Sequence, residues 1–335
     1  MPLRRCRFFF NVKTPVSDVR KGRLTAWEGD QGKMSYRPSS GSVPARRTVS
    51  WRPGMCAGAA QALAGFLRTT ELDAAEASEH ADAIEQLRAG DLQAIIVHRV
   101  YAPDVLATVV ARLERNDPEF LQTWFPEKFH SWFYGRNLNL SDARLPGYFE
   151  EAARFHAQLE DLFPPGLGIA RHVGELLSRL DGGRPFVPAP GPLPGTEYMF
   201  TTLRAHAESG YLPAHFDNEQ RLRPSYQHLR TLVELNMLSF VLVLAQPETG
   251  GALEVFDLCV EPQDARLLSD DSVKVRPDVS RLESVSFSLP AGTLIVLDSG
   301  RYLHRLTPVQ GARKRWTACS FMARARAHAA TYCWG

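Results

Sequence analysis

From Glu197 to Phe321 the chain runs as short apolar or alternating segments cut by Gly and Pro. That punctuation leaves little room for anything but a β-rich core. Leu238–Leu244 (Leu-Ser-Phe-Val-Leu-Val-Leu) reads as a buried strand. Gly250-Gly251 makes a turn, and Ala252–Phe256 alternates as the next strand. After a charged insertion, Ser286–Gly292 leads into Thr293–Leu297, Asp298-Ser299-Gly300 turns the chain, and a last strand opens at Arg315-Trp316-Thr317. Ahead of the series stands Gly210-Tyr211-Leu212-Pro213-Ala214-His215-Phe216-Asp217-Asn218, with an H-x-D pair in it. On an extended strand, residues two apart project to one face, so His215 and Asp217 can reach one cation together. With ten His in the chain the pair alone is weak. Its place at the head of the strand series gives it weight.

Two imidazoles and one carboxylate on one face of an octahedral metal leave three positions open for chemistry, and His304 completes such a set. The order H-x-D, strand, Gly-Gly-x-Leu strand, Pro-x-Gly-Thr strand, His-Arg-x-Thr-Pro-Val and Arg-Trp-Thr strand resembles the Fe(II)/2-oxoglutarate-dependent oxygenase superfamily, with a prolyl-hydroxylase-like core. The resemblance implies an α+β fold on a double-stranded β-helix (jelly-roll, cupin-like) flanked by N-terminal helices. It implies His215, Asp217 and His304 as catalytic metal ligands, Fe(II) as the metal, 2-oxoglutarate as cosubstrate and O2 as oxidant. It also places an Arg nine to eleven residues after the second His to hold the distal carboxylate of 2-oxoglutarate. Both Arg313 and Arg315 lie at that distance. Arg315 is preferred because it starts a strand and puts Thr317 on its own face as a second donor, whereas Arg313 reads as a solvated turn residue. A structural zinc site on the same three residues would want a fourth ligand, usually Cys or His.

A narrower resemblance spans roughly residues 195–335. Leu229–Leu242, then Pro247-Glu-Thr-Gly-Gly-Ala-Leu-Glu-Val-Phe-Asp257, and the close at Arg315-Trp-Thr with Tyr332 and Trp334 are similar to the free-standing halogenases of the hapalindole and welwitindolinone type. Those enzymes carry Gly where this chain carries Asp217, which frees an iron position for chloride. The departure points to hydroxylation, as in the hydroxylases of N-acylated amino acids in the same broad group.

The 335 residues, 44% hydrophobic and 23% charged, are ordinary for one large globular domain. The formal charge of +2 hides an asymmetry. Residues 1–54 hold twelve Lys/Arg against three Asp/Glu, and the remainder twenty-seven against thirty-four. The body is mildly acidic, which argues against a nucleic-acid partner. The first 54 residues lack apolar period and read as disordered, or as upstream sequence ahead of a start at Met55. Arg outnumbers Lys 33 to 6, as in GC-rich bacterial genomes. No stretch approaches the roughly 18 apolar residues of a membrane span. The five Cys lack C-x-x-C spacing, so a reducing, cytoplasmic location is expected.

In the body, residues 55–195 read as a helical flank and 196–335 as the β-helix core. Ala57–Gly90 is Ala-rich and expected to be helical, Leu92–Val100 a strand, and Pro103–Leu113, Pro146–Leu162 and Ile169–Leu180 helices. The aromatic stretch Trp124–Tyr134 is either core or an apolar wall of the substrate pocket. Glu197–Arg204 reads as the strand entering the core, Asn218–Arg230 as an exposed loop or short helix near the metal, and Glu261–Glu283 as a lid-sized insertion. Together these point to an Fe(II)/2-oxoglutarate-dependent hydroxylase that oxidises an aliphatic C–H of a free small molecule, an amino-acid derivative or specialised metabolite, and releases succinate and CO2. The partners expected are that substrate and at most a second copy of the chain, with no membrane. A peptidyl or protein hydroxylase and a non-catalytic metal-binding jelly roll are the alternatives.

Overall fold

Alternation on the β-rich half sets the architecture. Apolar side chains on one strand face need a second layer, and two sheets supply it. The structure is a computed structural model describing residues 46–50 and 61–335, save 143 and 263–277. In chain order the strands are β1 (Arg46–Ser50), β2 (Gln61–Ala64), β3 (Leu67–Asp73), β4 (Ala94–His98), β5 (Gln122–Trp124), β6 (Ser131–Tyr134), β7 (Phe186–Pro188), β8 (Thr202–His206), β9 (Leu212–His215), β10 (Leu238–Ala245) and β11 (Thr249–Gly250). They continue as β12 (Leu253–Cys259), β13 (Ser284–Ser288), β14 (Leu294–Leu297), β15 (Tyr302–Leu306), β16 (Val309–Gln310), β17 (Arg315–Arg324) and β18 (Thr331–Trp334). The helices are α1 (Ala83–Ala89), α2 (Pro103–Arg115), α3 (Tyr148–Leu162), α4 (Ile169–Arg179) and the single turn α5 (Leu229–Leu232).

The smaller sheet runs β1-β13-β12-β15-β9 and the larger β2-β3-β4-β14-β10-β17-β8-β6-β5, with β18 on β17 and β7 on β18. From β8 to β17 the chain passes back and forth between β14-β10-β17-β8 and β13-β12-β15-β9. This is the double-stranded β-helix expected from the sequence. Val243, Ile295, Leu297, Ala94 and Ile96 of the large sheet meet Leu253, Val255, Val285 and Phe287 of the small one and fill one end of the space between them. The helices cover the outer face of the large sheet. Leu106, Val109 and Leu113 of α2, Phe155 and Leu159 of α3, and Val173, Leu176 and Leu177 of α4 pack with Phe240, Leu242, Leu244 and Trp316. Their three- and four-residue spacing makes a single apolar stripe on each helix. Pro103 stands in the first turn of α2, where its missing N–H costs nothing, and Asn116 closes that helix in the left-handed region.

Three expectations are corrected. Ala57–Gly90 is not one helical stretch: β2 and β3 occupy 61–64 and 67–73, and helix begins only at the 3-10 turn Ala74–His80. Thr69 and Thr70 pair in parallel with Ala94 and Ile95 of β4, so β-branched side chains and a ready strand edge override the helix propensity of the alanines. The strand expected at Glu197–Arg204 is β8, which starts later, at Thr202, and runs on to His206. Within the first 54 residues, Arg46–Ser50 is not without structure. It pairs in parallel with Ser284–Ser288 along the edge of the small sheet and belongs to the compact unit Val43–Gly335. Residues 1–45 and 51–60, and most of the insertion expected as a lid, lie outside the described residues. Among the described residues no helix is long and apolar enough to cross a membrane.

Candidate metal centre and anion clamp

His215 closes β9 and His304 sits inside β15, and the two strands pair so that these residues face each other across the ladder. Their rings lie 4.4 Å apart between centroids. Asp217 is the first residue of a 3-10 turn beyond the end of β9, so the H-x-D pair meets at a strand terminus and not along a continuous strand. Its Oδ1 lies 3.5 Å from His215 Nε2 and 3.8 Å from His304 Nε2. One ligand atom from each residue falls within 4.8 Å of the others, and Asp217 and His304 are buried.

The side chains are held for that task. His215 Nδ1 bonds the carbonyl of Pro213 at 2.7 Å, and His304 Nδ1 bonds that of Tyr302 at 3.0 Å. Carbonyls only accept, so both rings carry the proton on Nδ1 and turn an Nε2 lone pair toward Asp217, the tautomer a metal ligand needs. The Asp217 amide donates to Ser299 O at 2.9 Å. Asn218 Oδ1 receives the Met237 amide at 3.1 Å, and Asn236 Nδ2 donates to Asp298 Oδ1 at 3.2 Å. Gly300 is forced by this packing, because a Cβ there would lie 2.4 Å from Met237 O and 2.7 Å from Asn218 Oδ1. The turn foreseen at Asp298-Ser299-Gly300 thus braces the carboxylate; Asn218 and Asn236, its other supports, carry no spacing that would have marked them.

Burial alone would raise the Asp217 carboxyl, yet the imidazoles of His304 and His215 hold it down at about 2. Burial, and then His215, push His304 down to about 4. His215 is also penalised by burial, but the bond and charge of Asp217 carry it above its ordinary value. An ionised carboxylate faced by the Nε2 atoms of two imidazoles is a donor set that suits Fe(II) or Zn(II), the His215 proton being the one a metal would displace. No fourth His or Cys joins them among the described residues, which fits an open centre better than a closed structural zinc site.

At the other end of the same interior, Arg315 begins β17 and is 8% exposed. Its Nη1 lies 3.5 Å from Thr317 Oγ1, and burial lowers the guanidinium to about 10. A cavity of about 130 Å³ opens beside it, lined in part by Val243, Gly251, Leu253, Phe287 and Ile295. Arg313, by contrast, is exposed in the preceding turn, where its side chain donates to Pro247 O at 3.1 Å. Two inward residues were missed: Arg204 and His206 on β8 pair in register with Thr317 and Arg315. His206 is buried, bonds Ser131 Oγ at 2.6 Å, and is held well below its ordinary pKa by burial and by the charges of Arg315 and Arg204. Their signal was the alternation Thr202, Arg204, His206 along one strand face. A larger cavity, about 250 Å³, lies among Glu85, Arg88, Asn236, Arg324 and Thr331, away from these groups.

Residues 66–335 match the model of a family described as carrier-protein-independent halogenase WelO5. The chain belongs to that family. No curated protein matches. Among solved structures, it is similar to an N-substituted L-amino acid dioxygenase in complex with alpha-KG from Burkholderia ambifaria (16% identity, 76% of this chain and 91% of that one, TM-score 0.48). It is also similar to a 2OG-Fe(II) oxygenase family protein from Burkholderia pseudomallei (14%, 83% and 94%, TM-score 0.41) and to a prolyl-4-hydroxylase from Pseudomonas putida (14%, 73% and 98%, TM-score 0.37). With its family and its facial-triad-like His215, Asp217 and His304, the chain is an Fe/2-oxoglutarate-dependent oxygenase of small molecules that takes iron and 2-oxoglutarate.

Proposed function

We propose that this member of a halogenase family is a hydroxylase of an aliphatic C–H on a free small molecule. The observation that carries the reading is the Asp217 carboxylate, buried, ionised and within 4 Å of both imidazole Nε2 atoms. It stands where the resembling halogenases have Gly, and its charge opposes a second anion at the same metal position. His215, Asp217 and His304 hold the iron. Arg315 takes the distal carboxylate of 2-oxoglutarate as a charged fork, and Thr317 steadies that guanidinium. With iron and cosubstrate bound, the centre supplies oxidative decarboxylation to succinate and CO2 coupled to oxidation of the substrate. The chain's own part is to fix three ligands by strand register, to keep both rings in the ligating tautomer, and to orient the cosubstrate between iron and Arg315.

The test is chloride titration of the anaerobic Fe(II)·2-oxoglutarate complex, read by its visible charge-transfer band. The native protein should show no chloride dependence. Asp217→Gly should bind iron more weakly and gain a chloride-dependent shift. A saturable chloride shift in the native protein, or a chlorinated main product from it, would overturn Asp217 as a ligand and restore the halogenase reading.

A further inference from the structure

Arg204 is neither one of the three metal-ligand candidates nor the cosubstrate fork of the proposed reading, although its charge is felt at both His304 and Arg315. It projects from the inner face of β8, in register with Thr317 on one side and Phe133 on the other. Its guanidinium lies over the Phe133 ring at 5.4 Å and near that of Phe321 at 5.7 Å, and its Nε approaches Thr202 Oγ1 at 3.5 Å. No carboxylate pairs with it among the described residues. A half-buried guanidinium between two rings is held in place but keeps its outer N–H edge for an anion. It does not line the cavity beside Arg315.

The rings continue outward from it. Phe133 contacts Phe125 at 4.2 Å, Phe125 contacts Phe129 at 6.0 Å, and Phe129 meets Tyr211 at 5.4 Å. Phe125, Phe129 and Tyr211 are only half-buried. The wall therefore runs from Arg204 along the β5–β6 hairpin to the loop ahead of β9, the strand that carries His215. Strands β6 and β5 extend the large sheet past β8, and β9 is the edge of the small sheet. The open side of the interior thus lies between them, with a cation at the inner end of an aromatic wall. The iron and Arg315 account for both carboxylates of 2-oxoglutarate, which leaves Arg204 without a counter-ion.

We propose that Arg204 recognises a carboxylate on the substrate, and that the substrate is an anionic small molecule whose apolar, ring-sized body lies along Phe133, Phe125, Phe129 and Tyr211. This rests on the reading of the centre as an iron and 2-oxoglutarate site, and it specifies the substrate class. Phe133 and Arg204 are specificity residues in this account, and no electron or proton passes through either.

The test is calorimetric binding to the anaerobic Fe(II)·2-oxoglutarate protein of three carboxylate probes, each against its neutral amide: N-acetyl-L-phenylalanine, N-acetyl-L-leucine and indole-3-acetate. Binding of 2-oxoglutarate itself is measured in the same preparations, so failure of the underlying reading shows separately, as loss of cosubstrate binding in the native protein. At least one acid should bind about tenfold or more tightly than its amide, as a charge-assisted pair gives. Arg204→Gln should abolish that preference while the 2-oxoglutarate Kd and the melting temperature hold, and Arg204→Lys should restore part of it. A panel in which no acid outbinds its amide overturns the proposal. So does a preference that survives Arg204→Gln, or a loss of 2-oxoglutarate affinity in that variant as large as in Arg315→Leu.

Discussion

Arg315→Leu separates two consequences of one buried charge. In the free protein Arg315 is 8% exposed and no carboxylate pairs with it among the described residues, so its guanidinium is desolvated, with Thr317 Oγ1 at 3.5 Å and the like charge of Arg204 nearby. Leucine there removes that desolvation cost and keeps apolar contact. The cosubstrate-free variant should gain on the order of 1 kcal/mol, the sense seen when buried charges are replaced by apolar groups. That corresponds to roughly 2–4 °C in melting temperature for a unit of this size. With 2-oxoglutarate present the sign reverses. Loss of the partner to a buried carboxylate costs about 2–5 kcal/mol, or roughly 30- to 5000-fold in Kd. Saturating cosubstrate, worth about 2.7 kcal/mol of stability to the native protein at a hundred times Kd, should then protect the variant hardly at all. Arg313→Leu, at an exposed position, should change either quantity by less than about 1 kcal/mol. Thermal melts and calorimetry with and without 2-oxoglutarate, on anaerobic iron-loaded protein, read both effects. A leucine variant that melts several degrees lower without cosubstrate, or that binds 2-oxoglutarate within about threefold of native, refutes the reasoning. A larger loss in Arg313→Leu would move the clamp to that residue.

His304→Ala should lower iron affinity by at least about tenfold while circular dichroism stays native, because a neutral ligand is removed from a ladder that keeps its backbone bonds; unchanged metal affinity would remove His304 from the ligand set. Metal affinity should fall as pH drops below the raised pKa of His215, since protons compete for its Nε2. Asp217 stays ionised to about 2 and His304 neutral to about 4, so between pH 4 and the His215 pKa the slope should be one proton, about tenfold per pH unit, flattening above it, and a two-proton slope in that window would contradict the assigned environments. A chain beginning at Met55 should keep 2-oxoglutarate turnover, because β1 and the His215 strand lie on opposite edges of the small sheet. The same truncation bares the β13 edge and should promote self-association, checked by light scattering; a monodisperse but inactive truncation would contradict both parts.

What the sequence disclosed follows from how local each signal is. Leu238–Leu244 and Thr293–Leu297 are apolar enough to announce strands, and Pro103 marks a helix start, because these patterns act within one element. His215, Asp217 and His304 were legible because their spacing and flanks form an ordered set. The strand at Leu67–Asp73 was not, since it lies between Ala-rich segments and pairs with a parallel partner twenty-five residues on. Arg204 and His206 look like any charged and polar residues on a strand until the large sheet sets them against Thr317 and Arg315. The brace of Asn218, Asn236 and Gly300 around Asp217 is likewise a product of tertiary packing.

The facing of His215 and His304 across β9 and β15 has a bearing on how the barrel is assembled. β9 is four residues long and bonds to β15 at only two register positions, with an irregularity between them. A slip of one residue would turn His215 to the opposite face of its strand and break the ligand set. With the proposed ligand set, metal capture would favour the correct pairing over its nearest wrong neighbours. Under that ligand set, loss of the metal would loosen this short edge strand ahead of the longer ladders of the barrel.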